Sequence, residues 1–415
     1  MVENHPTEPL SLKANMLWNS AGSLVYFGFQ WLLTVVVVRI SGNYEAAGVL
    51  ALAMTVFNVV SPISVYRMFT YQISDVAHEN TLGEYLSFRL VVTAIAMAFA
   101  IVYTSLTCPT ASILPIMLYL VYKMLSQFID SLHATMQLNS RMDYVGISSA
   151  LQGFGSFAVF CIVFYLTNSL ELSFVGMSLV IVIIGWCYDR PRALCFEPIE
   201  LGISTAKVRH LLIYCFPIVV AAIACSVSSS IPRQYLAITQ GEALLGAYAS
   251  VAAPAAIIQM GSSYVYTPIL STLAEQYLNR DREGFARLLS KAILAIVAIG
   301  ILSTIVLLII GDWLLAFLFG PSIVEYAYLL LPVIGSTFVA GILWFFNDLL
   351  IAIRRFGAAF AGNAVALAVT LLTTMPLVDG FGANGVSFAS IVAFSCGVAV
   401  LAFFILRAIL AMRMD

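Results

Sequence analysis

Twelve apolar stretches of about 20 residues run through this chain, and they restrict its fold more than any other feature. A stretch of that length crosses a bilayer as a helix, in which the backbone hydrogen bonds close within the segment. The chain is 61% hydrophobic and 10% charged, against roughly 25% charged residues in soluble domains. We therefore predict an all-α polytopic membrane protein. The predicted helices span 14–39, 46–74, 84–107, 112–136, 144–167, 171–188, 208–238, 244–278, 285–310, 325–353, 357–378 and 385–411.

The basic residues indicate which helix ends face the cytoplasm. Fifteen of the 19 Lys and Arg, Arg89 among them, flank the same side, which the positive-inside rule assigns to the cytoplasm. Both termini are then expected to be cytoplasmic. The exceptions are Arg39 at an outer helix end, and Arg67, Lys123 and Arg233 within predicted spans.

The twelve helices divide into two sets of six. Ala47-Gly48, opening the second helix, has a counterpart in Leu245-Gly246, opening the eighth. Because six is even, both halves begin on the same side, so the pseudo-repeat is parallel and two like bundles are expected to leave a cavity between them. The predicted regions are a tail at 1–13, a lobe at 14–188, a cytoplasmic connection at 189–207, a lobe at 208–411 and a tail at 412–415.

A polar stripe lies on the fourth predicted helix. At about 100° per residue, Lys123, Gln127, Asp130, His133 and Gln137 fall within about a third of the helix circumference. A charge at the middle of a bilayer costs at least about 2.5–3.5 kcal/mol. The stripe is therefore predicted to face other protein or a water-filled cavity.

The basic residues outside the cytoplasmic flanks are candidates for binding an anionic substrate, because Arg and Lys bind phosphate by charge-assisted hydrogen bonds. These candidates are Lys123, Arg233, Arg67 and Arg39. Arg233 follows Pro232, which frees backbone groups as in helices that line cavities. The alternatives are interfacial anchoring for Arg39 and Arg233, and an ion pair between Lys123 and Asp130.

Asp130, His133 and Asp348 are candidates for coupling transport to H⁺ or Na⁺, because acids and histidines within membranes form proton relays and ion sites. The structural alternative is that Asp130 and His133 neutralise Lys123 and cap the helix end. For Asp348, the alternative is pairing with Arg354 and Arg355.

Motifs for catalysis and for cofactors are absent from the sequence. It contains no nucleophile triad, zinc-ligand spacing, Walker loop or GxGxxG, and its seven cysteines include no CxxC pair. We therefore expect a protein that is not an enzyme, with no cofactor and no metal, and ATP as a direct energy source is disfavoured. A net charge of −2 gives no basic field for nucleic acid.

Several short segments resemble the polysaccharide (O-antigen and capsule) flippases of the multidrug/oligosaccharidyl-lipid/polysaccharide exporter superfamily. They are Arg39-Ile40-Ser41-Gly42, the run from Gln137 to Ser148, Ala352-Ile353-Arg354-Arg355, Gly362-Asn363 and Gly380 to Gly385. One departure is Pro232, where many relatives carry an acid before the arginine of helix seven.

This resemblance implies two six-helix lobes, a cationic central cavity and alternating access. The implied substrate is an undecaprenyl-pyrophosphate-linked oligosaccharide, moved from the inner to the outer leaflet of the bacterial cytoplasmic membrane for surface polysaccharide such as lipopolysaccharide or capsule. The implied partners are this anionic lipid-linked oligosaccharide and the bilayer, with H⁺ or Na⁺ if transport is ion-coupled.

Two alternatives stay open. A cation-coupled multidrug exporter of the same superfamily would carry acidic rather than surplus basic groups in its cavity. A membrane-embedded glycan polymerase or ligase would carry a substantial outer loop, whereas the predicted outer connections are all short.

Overall fold

The computed structural model describes residues 8–75 and 79–412, so most of the predicted tails at 1–13 and 412–415 lies outside the described residues. Within this range the chain forms helices and connections, without strands. Eleven helical stretches are long and apolar enough to cross a membrane, and Thr205–Gln240 forms a further helix of 36 residues. The predicted all-α architecture of about twelve long helices is confirmed.

The chain divides into two compact units, Met1–Ile223 and Ala224–Asp415. The helices of the first unit are α1 (Leu12–Ser41), α2 (Glu45–Val65), α3 (Met68–Ser74), α4 (Leu82–Thr107), α5 (Ile113–Leu138), α6 (Met142–Thr167), α7 (Leu170–Ile184), α8 (Arg190–Leu194) and the first half of α9 (Thr205–Gln240). The second unit contains the rest of α9, followed by α10 (Glu242–Tyr266), α11 (Leu270–Leu278), α12 (Arg282–Phe319), α13 (Leu330–Ala352), α14 (Phe356–Phe381) and α15 (Ala383–Ala411).

The boundary between the two units lies within α9, between Ile223 and Ala224. The sequence pattern predicts the connection between the lobes at 189–207. The first half of α9 belongs to the first unit because its apolar side chains are buried there. Leu211 and Cys215 pack in one cluster with Tyr66 and Phe88. The predicted connection at 189–207 precedes this boundary, and the division of the chain into two lobes at that connection stays a prediction.

Four helix pairs of the first unit have counterparts in the second. In the first unit α2 packs against α4 and α5, and α7 packs against α5 and α6. In the second unit α10 packs against α12 and α13, and α15 packs against α13 and α14. These pairs correspond when the spans of the two halves are matched in chain order, as a parallel repeat requires.

The span predicted at 46–74 is broken. α2 ends at Val65, and Tyr66 and Arg67 then take positive φ angles of 45° and 59° before α3 begins. The corresponding span of the second unit is interrupted after Tyr266, where a turn of 3-10 helix containing Pro268 separates α10 from α11. Such breaks release backbone carbonyl groups that need partners within a membrane.

Helices α1 and α6 approach each other closely at glycines. A Cβ atom on Gly22 would overlap the Gly146 backbone, and a Cβ on Gly146 would overlap the carbonyl oxygen of Trp18. Small residues allow this kind of backbone contact between membrane helices. The contact fixes the position of α1, which carries Tyr26 and Gln30 toward α5.

Candidate substrate cavity in the first unit

A cavity of about 350 Å³ lies in the first unit beside the polar stripe of α5. Its lining residues are Ser23, Tyr26, Phe27, Phe57, Lys123, Ser126, Gln127, Asp130, His133, Ser149 and Gln152. Four of the five predicted stripe residues therefore line one cavity, and Gln137 does not. The volume is at the lower end of the range of small-molecule sites.

Polar side chains of α5 also hold the broken span in place. Gln127 accepts a hydrogen bond from Ser64 (2.5 Å) and donates one to Ser61 (2.7 Å), both on α2. Beyond the break, Gln72 of α3 donates to the Ser131 carbonyl (3.0 Å) and to Thr135 Oγ1 (3.1 Å). The polar face of α5 thus contacts both α2 and α3.

Lys123 occupies an aromatic cage. Its Nζ donates to Gln30 Oε1 at 2.6 Å and to the Tyr26 hydroxyl at 3.4 Å. Gln30 in turn donates to the hydroxyl of Tyr122 (2.9 Å), which fixes its orientation. Four ring centroids lie 5.2–5.8 Å from Nζ, those of Tyr26, Phe57, Tyr119 and Tyr122. Desolvated cation–π contacts of this kind contribute up to about 2 kcal/mol or more.

The ammonium group of Lys123 has no carboxylate partner among the described residues. The ion pair with Asp130 that is one alternative from the sequence is absent, because the two side chains lie two helical turns apart and each has other neighbours. The rings and Gln30 offset part of the cost of burying the ammonium but do not neutralise its charge. An anion entering the cavity would find a fixed positive charge.

Asp130 pairs with Arg89, whose guanidinium is 1% exposed. Arg89 Nη2 lies 3.6 Å from Asp130 Oδ2 and donates to the Gln127 carbonyl, and Nη1 donates to the Val65 carbonyl at 2.7 Å. Arg89 thus satisfies the carbonyl released where α2 ends. Arg89 is thus buried inside the bundle instead of exposed at a helix end, and its predicted cytoplasmic side stays a prediction. Its position within an apolar span, after the start of α4 at Leu82, is the sequence signal for its burial.

His133 belongs to a second buried network. Its Nε2 lies 3.1 Å from Oδ1 of Asp189, a carboxylate that is 0% exposed. Ser148 donates to Asp189 Oδ2 (2.9 Å), Gln152 donates to Ser148 (3.1 Å), and Ser126 donates to Gln152 (2.8 Å). The network therefore runs from Asp189 to the cavity wall. Sequence reasoning misses Asp189 because it places this residue in the connection between lobes.

A π-helical turn positions Asp189. The turn covers Gly185–Asp189, between α7 and α8. An extra residue per turn rotates the following side chains relative to a regular α-helix, and such turns are frequent at functional sites. Here the rotation presents Asp189 to both His133 and Ser148.

The remaining predicted site residues do not line this cavity. Arg39 is exposed in the last turn of α1, and Arg67 is exposed at the break between α2 and α3. Arg233 and Asp348 belong to the second unit. Arg233 lies 6.0 Å from the ring centroid of Tyr248.

Asp348 has polar neighbours of its own within the second unit. Its carboxylate accepts hydrogen bonds from the Tyr266 hydroxyl (3.1 Å) and from Asn347 Nδ2 (3.2 Å). Asn363 donates to Asn347 at 2.7 Å and so joins this group to α14. The carboxylate therefore lies beside the point where α10 ends.

The chain is similar to known proteins in sequence and in structure, although no family model matches it. Its sequence is similar to that of the capsular polysaccharide biosynthesis protein CapF of Staphylococcus aureus, with 21% identity over 348 residues, which cover 83% of this chain and 81% of that protein. Its structure is similar to that of the lipid II flippase MurJ, with a TM-score of 0.72 and 12% identity over 96% of this chain and 90% of that one.

A further similar structure is that of a point mutant of the Vibrio cholerae MATE transporter VcmN. The TM-score is 0.59 at 12% identity, over 96% of this chain and 99% of that one. The chain has the fold of the MOP superfamily. The fold expected from the sequence resemblance is thereby confirmed. Together with its long apolar helices, this fold makes the chain a multi-pass membrane protein.

Proposed function

We propose that this MOP-fold protein is a flippase for an undecaprenyl-pyrophosphate-linked oligosaccharide, working by alternating access in surface polysaccharide biosynthesis. The observation that carries the proposal is the ammonium of Lys123, which lines a cavity within a membrane helix bundle without a carboxylate partner among the described residues. A pyrophosphate that leaves water needs a fixed cation to replace its lost hydration. The sequence similarity to a capsular polysaccharide biosynthesis protein supports the same substrate class.

In this proposal Lys123 binds the anionic group of the carrier lipid, and Arg233 of the second unit is a further phosphate contact. Arg39 and Arg67 are exposed and are proposed to act on the path of the headgroup outside the cavity. Asp130, His133 and Asp348 are proposed for coupling to H⁺ or Na⁺. The membrane would be the bacterial cytoplasmic membrane, with both termini on the cytoplasmic side.

The test uses cells whose surface polysaccharide depends on this chain. Lys123→Ala and Arg233→Ala, at wild-type protein levels, should abolish surface glycan while lipid-linked repeat units accumulate on the cytoplasmic leaflet. Arg233→Lys should retain part of the activity, because a point charge still attracts phosphate without the bidentate geometry. Lys291→Ala, at an exposed lysine of α12, is the matched control. Normal surface glycan from the double alanine variant would refute the proposal.

A second candidate is a cation-coupled multidrug exporter, and the carboxylate of Asp130 at the cavity favours it. The Asp130 side chain is 41% exposed, so an organic cation could contact it. The same cells separate the two functions. An exporter should lower the accumulation of ethidium in an Asp130-dependent manner, with surface glycan unaffected by Lys123→Ala.

A further inference from the structure

The cavity is lined by opposite charges at two levels of α5. Lys123 and Asp130 both line it, and seven residues of α-helix place them about 10.5 Å apart along α5. A phosphate group is attracted by Lys123 and repelled by the carboxylate of Asp130. The part of the ligand that lies next to Asp130 is therefore not expected to be a phosphate.

The polar groups of the cavity that remain available to a ligand are hydrogen-bond acceptors, which suit a ligand with hydroxyl groups. The hydroxyls of Ser23 and Ser149 have no hydrogen-bond partner among the described residues. Asp130 contacts Arg89 through Oδ2, and no partner is found for Oδ1 within the same part of the chain. A carboxylate oxygen and two free hydroxyls can each accept a hydrogen bond from an alcohol, and the bond to the carboxylate is charge-assisted.

The rest of the wall is rigid and partly aromatic. Gln127 and Gln152 are held by their own hydrogen bonds to α2 and α6, so they shape the cavity and are not free to turn. Rings of Tyr26, Phe27 and Phe57 supply apolar surface. Flat apolar rings beside hydrogen-bonding groups fit a sugar ring, which presents C–H surface on its faces and hydroxyls at its edge.

We propose that this cavity is a subsite for the sugar next to the pyrophosphate, and that it selects a neutral sugar over an acidic one. The inference rests on the proposed function and adds to it which part of the ligand the first unit recognises. Lys123 contacts the phosphate nearest the sugar, while Asp130, Ser23 and Ser149 accept hydrogen bonds from sugar hydroxyls. A carboxylate on the sugar would meet Asp130 and be repelled.

The test measures binding to the purified full chain in lipid nanodiscs, with three probes. They are undecaprenyl pyrophosphate alone, the same lipid with one N-acetylhexosamine, and the same lipid with one hexuronic acid. The N-acetylhexosamine lipid should bind about fivefold to tenfold more tightly than the bare lipid, the effect of one or two net hydrogen bonds. The hexuronic acid lipid should bind no more tightly than the bare lipid.

Variants locate the subsite. Ser149→Ala and Ser23→Ala should reduce the preference for the N-acetylhexosamine lipid and leave binding of the bare lipid unchanged. Asp130→Asn should bring the hexuronic acid lipid to the affinity of the neutral one, because the repelling charge is gone. Ser178→Ala is the matched control, since that hydroxyl donates to the Phe174 carbonyl on α7 and does not line the cavity.

The outcomes separate this inference from the proposed function. Equal binding of all three lipids by the wild-type chain overturns the sugar subsite and leaves the flippase proposal standing. A preference that survives in both serine variants also overturns it, because the sugar is then bound elsewhere. Binding of none of the three lipids refutes the proposed function together with the subsite.

Discussion

Replacing Arg89 by methionine removes the group that joins the end of α2 to α4 and α5. Methionine keeps much of the apolar length of the side chain, so the change isolates the guanidinium. Two hydrogen bonds from that cation, to the carbonyls of Val65 and Gln127, are lost, and each is worth about 1.5–3 kcal/mol. The ion pair with Asp130 adds less than about 1 kcal/mol, because the carboxylate is 41% exposed.

Arg89→Met should therefore lower the free energy of unfolding by about 3–6 kcal/mol, the sum of the two lost hydrogen bonds. At roughly 2–4 °C per kcal/mol, the melting temperature should fall by on the order of 10 °C. The five tryptophans allow the transition to be followed by intrinsic fluorescence in detergent. Arg287→Met, at an exposed arginine of α12, is the control and should change little.

The comparison with Asp130→Asn separates the contribution of the carbonyl contacts from that of the ion pair. If the carbonyl contacts dominate, Asp130→Asn should cost less than about 1 kcal/mol. Equal destabilisation by the two substitutions would show that the ion pair, and not the repair of the helix break, is the main contribution of Arg89. A melting temperature of Arg89→Met within about 2 °C of wild type, a shift of about 1 kcal/mol or less, would contradict the calculation altogether.

Three further predictions concern packing, coupling and topology. Gly22→Ala should destabilise the chain by several kcal/mol because its Cβ overlaps the Gly146 backbone, whereas Gly28→Ala, with open space around it, should not; thermal unfolding compares them. If Asp130 and His133 bind the coupling ion, the Asp130→Asn variant should still bind substrate, and its transport rate should no longer depend on the ion gradient. Transport that depends on the gradient as in the wild type would show that Asp130 serves only as a partner of Arg89. Single cysteines should be protected from an impermeant thiol reagent near Asn80, Leu201 and Arg280, and labelled near Asn43, Asn168 and Asp379; the opposite pattern would reverse the orientation.

The sequence alone could predict the helices and one face of the site. Twelve apolar stretches are found as helices because length and hydropathy decide membrane insertion without reference to packing. Lys123, Gln127, Asp130 and His133 line one cavity because helical periodicity alone places them on one face.

The rest of the site depends on contacts between helices far apart in the chain. Tyr26 and Gln30 reach Lys123 only because glycines allow α1 to approach its neighbours, and no local pattern reports that. The residues with positive φ angles at the break after Val65 are Tyr66 and Arg67, which are not turn formers, and the nearest proline, Pro62, lies within α2. The role of Arg89 could not be predicted for the same reason, because one of its two carbonyl partners is that of Val65 at this break.

The π-helical turn makes the buried network depend on the number of residues as well as their identity. Deleting one residue within Gly185–Asp189 would restore regular α-helical phase and turn everything that follows by about 100°. Asp189 would then no longer lie next to His133 and Ser148. A scan that exchanges side chains one at a time would not detect this requirement, because every substitution preserves the count. Homologues that differ here by a single insertion or deletion are expected to lack the His133–Asp189 pair even where both residue types are retained.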